Sequence, residues 1–313
     1  MKNFYLCLSN IILASLVLLG NAPLSAQFSG ELHPRDITKI SKQYHKSGQV
    51  HVSTTHKKPG HYTREDWAEA IDATWGEGLP TAEKLLIFDK AIDTLDREFG
   101  AYFNVNINLD SVIALYRPEI ENGVSRGRFA AIMNYISLYM QDTHTMLMDM
   151  PVNWGTEWNP GVPLFVIGGF ASNAHFGACL TPLPDSSLLV YRALDNHQLG
   201  IETGDIVLGY DGIPWKILYR ELMDAQLPIY TSWVWGSTTA SISHQILMSA
   251  GMNWHLFDTI DIVKYGTGET LHLATSPLSQ QNGYIWGNEQ LPVPGIEQPD
   301  FINEEYVKWG IVE

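Results

Sequence analysis

Cysteine is nearly missing from this chain: 313 residues hold two, Cys7 and Cys179. Cys7 falls inside an N-terminal leader, so Cys179 stands alone afterwards and no internal disulfide can staple the fold. In "GACL" it reads as a small buried hydrophobe. Basic residues are also scarce, 19 Lys/Arg against 34 Asp/Glu, for a net charge of −15. Seven of those bases crowd into residues 33–64, leaving the rest strongly acidic. Such a body repels phosphate backbones, which argues against nucleic acid as a partner. Equally absent are a G-x-S-x-G elbow, a phosphate-cradling glycine loop, a dinucleotide fingerprint and an H-E-x-x-H zinc motif. No metal site and no cofactor are expected.

Long apolar runs are lacking too. The longest, Ile11–Leu19, is well short of the ~20 residues that span a bilayer. It follows Lys2 and precedes "PLSA", ending at Ala26 before Gln27, so residues 1–26 read as a signal peptide. The expectation is export to a periplasmic or extracellular location, with no stable membrane span after cleavage. Residues 27–62 are polar, basic and without periodicity, and carry His33, His45, His51, His56 and His61. Their spacing is irregular and no carboxylate cluster accompanies them, so they read as a flexible lead-in rather than a metal tract.

What is present starts at Thr63. "TRED" is a capping box, Thr63 pairing with Asp66, and Trp67, Ile71 and Trp75 follow at helical spacing. Leu85, Phe88, Ile92, Leu95 and Phe99 form a second amphipathic stripe. Ser111–Tyr116 suggests a short helix stopped by Pro118, and Phe129, Ile132, Met133, Ile136 and Tyr139 suggest another from Ser125. Residues 63–150 are therefore expected to form a small helical domain. Its end, "MQDTHTMLMDM", contains Asp142, His144 and Thr145. Two ligand-type residues without a spaced partner make a poor metal site. Asp142 and Thr143 are expected to close the helix and open a strand, with His144 hydrogen-bonded at the junction.

From Gly161 the texture turns to β: "VPLFVIGGF", "ACLTPL" and "SSLLVYRAL" are short apolar runs between turn residues. "LGIETGDIVLGYDGIPW" (199–215) then reads as a hairpin. Gly204-Asp205 and Asp211-Gly212 make its turns, and Ile206, Leu208 and Tyr210 supply one packed face. "PWKILYRELMDAQL" reads as a helix through Ile217, Leu218, Leu222 and Leu227. Another helix is expected around Ile242–Met248, and two strands flank Gly266-Thr267-Gly268.

This order resembles the N-terminal half of the C-terminal-processing (tail-specific) Ser/Lys peptidases. In that family a helical region ending in "L-x-D-x-H-T" precedes a PDZ-like domain with "GL-x-x-GD-x-I-x-x-I-(D/N)-G-x-P". The matching residues here are Asp142, His144 and Thr145, then Gly200, Gly204, Asp205, Ile206, Asp211, Gly212 and Pro214; the leading Leu of the first motif is not kept in place. The resemblance covers roughly residues 63–280. It implies an α+β fold, a small helical unit followed by a PDZ-like β-sandwich or barrel over residues 151–280. It further implies recognition of peptides or protein C-termini by strand addition, with the groove lined by Gly161, Val162, Pro163, Leu164, Phe165 and Val166.

The family's serine nucleophile and lysine base lie on an α/β domain after the PDZ-like one. Residues 281–313, with "YVKWGIVE", read as an extension at the start of such a domain, so the chain is expected to stop before the catalytic core and to hold no catalytic residue. Ser241 and Lys264 make an unconvincing pair, because "GSTTASISH" continues with Ile242, Ser243 and His244 rather than with small residues. The alternative is a self-contained, non-catalytic binder of peptides or envelope partners, with Trp154, Trp158, Trp233, Trp235 and Trp254 as contact candidates. A sugar-binding module would use the same tryptophans.

Overall fold

The structure is a computed structural model that describes residues 63–102, 105–142, 144–153, 161–167, 176–231 and 239–278, with two short strands at 302–303 and 308–309. The leader, the basic lead-in, most of the C-terminal extension, and Trp154, Trp158, Trp233 and Trp235 lie outside the described residues. Among the described residues no helix is long and apolar enough to cross a membrane.

Among the described residues five helices come first: α1 (Arg64–Trp75), α2 (Thr81–Glu98), α3 (Leu109–Glu121), α4 (Arg126–Tyr139) and the single turn α5 (Met150–Asn153). Helix α1 starts where the capping box predicts, with Thr63 and Asp66 satisfying each other's backbone N–H groups. Helix α4 begins at Ser125, whose hydroxyl accepts from Arg128 N, and it is buried on every side rather than along one stripe. It is the axle of the helical unit. One flank packs with Phe88, Ile92, Val112, Tyr116 and Ile120, while Tyr135 and Leu138 join the core of the β region. Gly127 marks where α1 crosses it: a Cβ there would sit 2.4 Å from the Trp75 ring.

Pro118 does not stop α3, which runs on to Glu121 with the proline inside. An internal proline costs roughly 3 kcal/mol. The turn beyond it is held by fully buried Ile120 and by Glu119, which bridges Arg64 and Arg128. The strand expected after Asp142 is also missing. Residues 145–149 are irregular and strapped to α4, where Leu147 N donates to Ser137 Oγ (2.6 Å) and Asn134 Nδ2 to Leu147 O (3.0 Å). Side-chain partners thus take the bonds a neighbouring strand would have taken.

The second half is α+β. Strands β1 (Phe165–Ile167), β2 (Ala178–Pro182), β3 (Leu188–Ala193), β4 (Ile206–Tyr210) and β5 (Ile213–Pro214) precede α6 (Trp215–Ala225), β6 (Ile229–Thr231) and α7 (Thr239–Met248). Two 3-10 turns (Ser249–Met252 and Trp254–Leu256) lead to the β7 (Thr259–Val263) and β8 (Thr270–Ala274) hairpin. The main sheet runs β2-β3-β4-β7-β8 with β5 on β4, and β1 pairs with β6 in a separate parallel ribbon. Among the described residues strands β2 and β8 end the main sheet, so it stays open and does not close into a barrel, one of the two forms expected for this domain.

All five residues of β4 are buried. The expected single face of Ile206, Leu208 and Tyr210 is split. A register shift against β7 between Val207 and Gly209 flips the alternation. Ile206 and Leu208 pack with Leu183 and Leu189, whereas Tyr210 joins Val207 in the main core. In α6, Leu218 and Leu222 are fully buried as expected, but Ile217 faces solvent.

Candidate functional site

The stretch Gly161–Val166 enters β1, whose parallel neighbour β6 leaves it one outer edge. Gly161 is exposed and Val162 half-buried, while Pro163, Leu164, Phe165 and Val166 are buried. Asn253 fills the outer edge. Val166 N donates to Asn253 Oδ1 (2.9 Å), and Asn253 Nδ2 donates back to Val166 O (3.0 Å) and to Ser249 O (2.9 Å). One side-chain amide thereby imitates a neighbouring strand. Gly161 N donates to His255 O, and the His255 ring touches Leu164 O through Nε2 (2.9 Å). The chain from Met252 to His255 therefore lies where an added strand would lie.

The far edge of the ribbon is closed in the same way. Ile229 N donates to Asn134 Oδ1 (3.0 Å), and Asn153 Nδ2 donates to Ile229 O (2.8 Å) and to Asn134 Oδ1 (2.7 Å). Asn153 Oδ1 accepts from Asp149 N, and Arg126 clasps the Asp149 carboxylate with two bonds of 2.6 and 2.7 Å. A buried polar chain thus runs from the helical unit into the ribbon. Of the six groove residues, Gly161 lines a cleft of about 560 Å³ between α1, the start of β7 and the end of β8.

His255 is completely buried, and its pKa is pushed down to about 4, by desolvation first, against the pull of the Leu164 and Met252 carbonyls. Its Nδ1 lies 3.1 Å from Met252 O, so both ring nitrogens face acceptors while the neutral ring donates from one alone. His197 is likewise lowered by burial, with Nε2 at 2.7 Å from Phe176 O.

The hairpin residues meet a second hairpin rather than open space. Asp205, fully buried, accepts from Glu202 N (2.8 Å), Tyr265 N (3.0 Å) and Lys264 Nζ (2.7 Å). Asp211, at φ 49°, accepts from Thr259 N (2.8 Å) through Oδ1. Gly212 N donates to Asp261, whose carboxylate also meets His272 Nδ1 at 2.5 Å. Gly204 and Gly212 adopt positive φ at the turns, and Gly200 does so just before them. Ile206 and Pro214 lie on β4 and β5, so the motif Gly200–Pro214 forms one pinned unit.

Lys264 is held as a cation. Burial alone would lower its pKa, but hydrogen bonds to Asp205 and Glu202 outweigh that and raise it. A lysine kept charged is no general base. Ser241, the other member of that unconvincing pair, lies on α7, its side chain outside the described residues. At the helical motif, Thr145 Oγ1 donates to Asp142 Oδ2 (2.6 Å). His144 is 92% exposed, its Nδ1 3.8 Å from Asp142 Oδ1, instead of hydrogen-bonded at the junction. Among the described residues none of the three side chains is hydrogen-bonded to the ribbon or the hairpin. Among the described residues no group of His, Cys, Asp and Glu could hold a metal ion.

Sequence reasoning missed Asn253, Asn134, Asn153 and Gln226. Gln226 ends α6 in the left-handed conformation and joins the two halves: Arg128 donates to its side chain (2.8 Å) and it donates to Tyr116 Oη (3.1 Å). Nearby, an apolar cleft of about 690 Å³ opens between α3, the end of α4, α6 and α7, with half-exposed Leu115 and Tyr139 on its wall. Trp215 and Trp254 are core residues.

Compared with known proteins, the chain matches no family model, no curated protein and no solved structure.

Proposed function

We propose that this chain is the substrate-recognising portion of an exported protein like the Ser/Lys peptidases: a helical unit plus a PDZ-like domain that takes extended peptides or protein C-termini. The observation that carries the reading is the Gly200–Pro214 hairpin, clamped by Asp205 and Asp211 onto the β7–β8 hairpin behind a preceding helical unit. Gly161 gives the approach to β1, since it is exposed and lines a cleft. Strand addition further along would replace the Asn253 bonds to Val166 with equivalent bonds from the peptide, a near-even exchange of about 0.5–1.5 kcal/mol per bond.

The reading assigns no chemistry to the described residues, because Lys264 is committed to Asp205. Peptide binding followed by hydrogen exchange tests it. A bound unstructured peptide should slow exchange across residues 161–166, with no hydrolysis of casein or of the peptide. Failure of every peptide to bind would sink the recognition role. Turnover abolished by Ser241→Ala would instead restore the Ser241–Lys264 pair. A stand-alone binder is the second reading, favoured by the apolar cleft beside Leu115 and Tyr139, which requires no catalytic partner.

A further inference from the structure

A second cavity, of about 750 Å³, lies in the helical unit away from the ribbon, among α1, α2, α3 and α4. In a chain of net charge −15 its wall carries three cations, Arg64, Lys84 and Arg128, against three acids, Glu119 inside and Asp72 and Glu77 at the rim. Lys84 is 4% exposed. Its ammonium spends two of its three N–H donors on backbone carbonyls, Glu77 O (2.6 Å) and Val124 O (2.5 Å), and makes no ion pair among the described residues. Arg128 spends four of its five N–H donors on Glu119 and Gln226, so it contributes mainly field. Arg64 gives one amino group to Glu119, and the rest of its fork has no partner among the described residues. Inside the rim, Glu119 alone therefore faces the three cations.

The backbone adds to this field. The N-terminal ends of α2 and α4 both open on the cavity through Thr81 and Ser125, and α2 starts from Pro80 with no side-chain cap. Opposing acids are Asp72 and Glu77, both exposed at the rim where water screens them. They penalise a dianion more than a monoanion, and the open fork of Arg64 matches a planar carboxylate.

We infer that this cavity binds a monocarboxylate, held between the free donors of Arg64 and the remaining N–H of Lys84. Burial lowers the Lys84 pKa, against the pull of Glu77, as suits an ammonium that lacks a counter-ion. The carboxylate has two sources, a small free acid or the C-terminus of a peptide. The site stands on its own geometry and does not need the peptide reading above.

Calorimetric titration of the full chain with propionate, a free-acid pentapeptide, the same pentapeptide as C-terminal amide, and inorganic phosphate tests the site. At least one acid should bind, and phosphate should bind less well. The amide should bind about tenfold more weakly than its acid if the peptide is the source. Propionate binding without peptide binding would assign the site to small acids and leave the peptide proposal to fail separately. Arg64→Gln, at a half-exposed position, should weaken the acid about tenfold in titrations run below its own melting transition, which loss of the Glu119 bond lowers. Lys84→Met should do the same where it folds. Binding of neither acid, preference for phosphate, equal binding of acid and amide, or indifference to Arg64→Gln would overturn the inference.

Discussion

Asp205 and Lys264 meet at 2.7 Å across the gap between two hairpins, the carboxylate fully buried and the ammonium largely so. The same carboxylate accepts two backbone N–H groups, from Glu202 and Tyr265. Removing it leaves a mostly buried cation and two orphaned donors. Asp205→Ala should therefore destabilise the fold by about 3–5 kcal/mol, read as a lower urea midpoint. A loss under about 1 kcal/mol would mean that the hairpins hold together by apolar packing alone.

Asn253 supports a sharper test, because it acts on one strand edge. Asn253→Ala removes three hydrogen bonds, to Val166 N, Val166 O and Ser249 O. The expected cost is about 2–4 kcal/mol. Amide exchange should separate this from a global effect. Val166 should lose protection well before Ile229, whose N–H is held by Asn134 at the opposite edge. Equal loss at both positions would show the ribbon opening as one body.

These two sites also show what a sequence can reveal. The Thr63 capping box, the α2 stripe and the turns at Gly204 and Asp211 are local signals within a few residues, and each element formed where its spacing pointed. Asn253 holds a partner 87 residues away, and Asn134 one 95 residues away. No periodicity marks a polar residue that will imitate a strand. Pro118 misled for the opposite reason: its local rule is real, but the bridge from Glu119 to Arg64 and Arg128 overrides it. The bulge at Val207/Gly209 likewise arises from pairing with β7, which alternation alone does not encode.

Acid should weaken the protein before its carboxylates titrate. His255 is neutral in the fold, with a pKa of about 4, against an ordinary value of 6.5. The unfolded chain takes up a proton below 6.5 and the folded chain does not. Stability is therefore full above about pH 6.5 and falls as pH drops toward 4, by roughly 3 kcal/mol for this one group. His197, also lowered by burial, adds in the same direction. Glu119 has a lowered pKa: burial raises it, but its bonds to Arg128 and Arg64 outweigh that, so its contribution is lost only below about pH 4.5. Thermal melts across pH 4–7 should show the slope, and His255→Gln should flatten it. An unchanged slope in that variant would remove His255 as the cause.

The α1–α4 crossing yields a prediction whose sign has to be argued. Gly127 lies inside α4, where replacement by alanine gains about 1 kcal/mol of helix propensity. Against this, the new Cβ would lie 2.4 Å from the Trp75 ring and 2.8 Å from Ile71 Cγ2. Trp75 is only half-buried and could swing outward, but Ile71 is 2% exposed and packs into the core shared by both halves. Overpacking of this kind costs about 1–3 kcal/mol. Gly127→Ala should be destabilising by about 1 kcal/mol net, and Gly127→Val by more, in urea titrations. Because α1 touches the β region as well as α4, the loss should appear as one cooperative transition and not as separate melting of the helical unit. A stabilised alanine variant would show that the two helices can part at this point without cost.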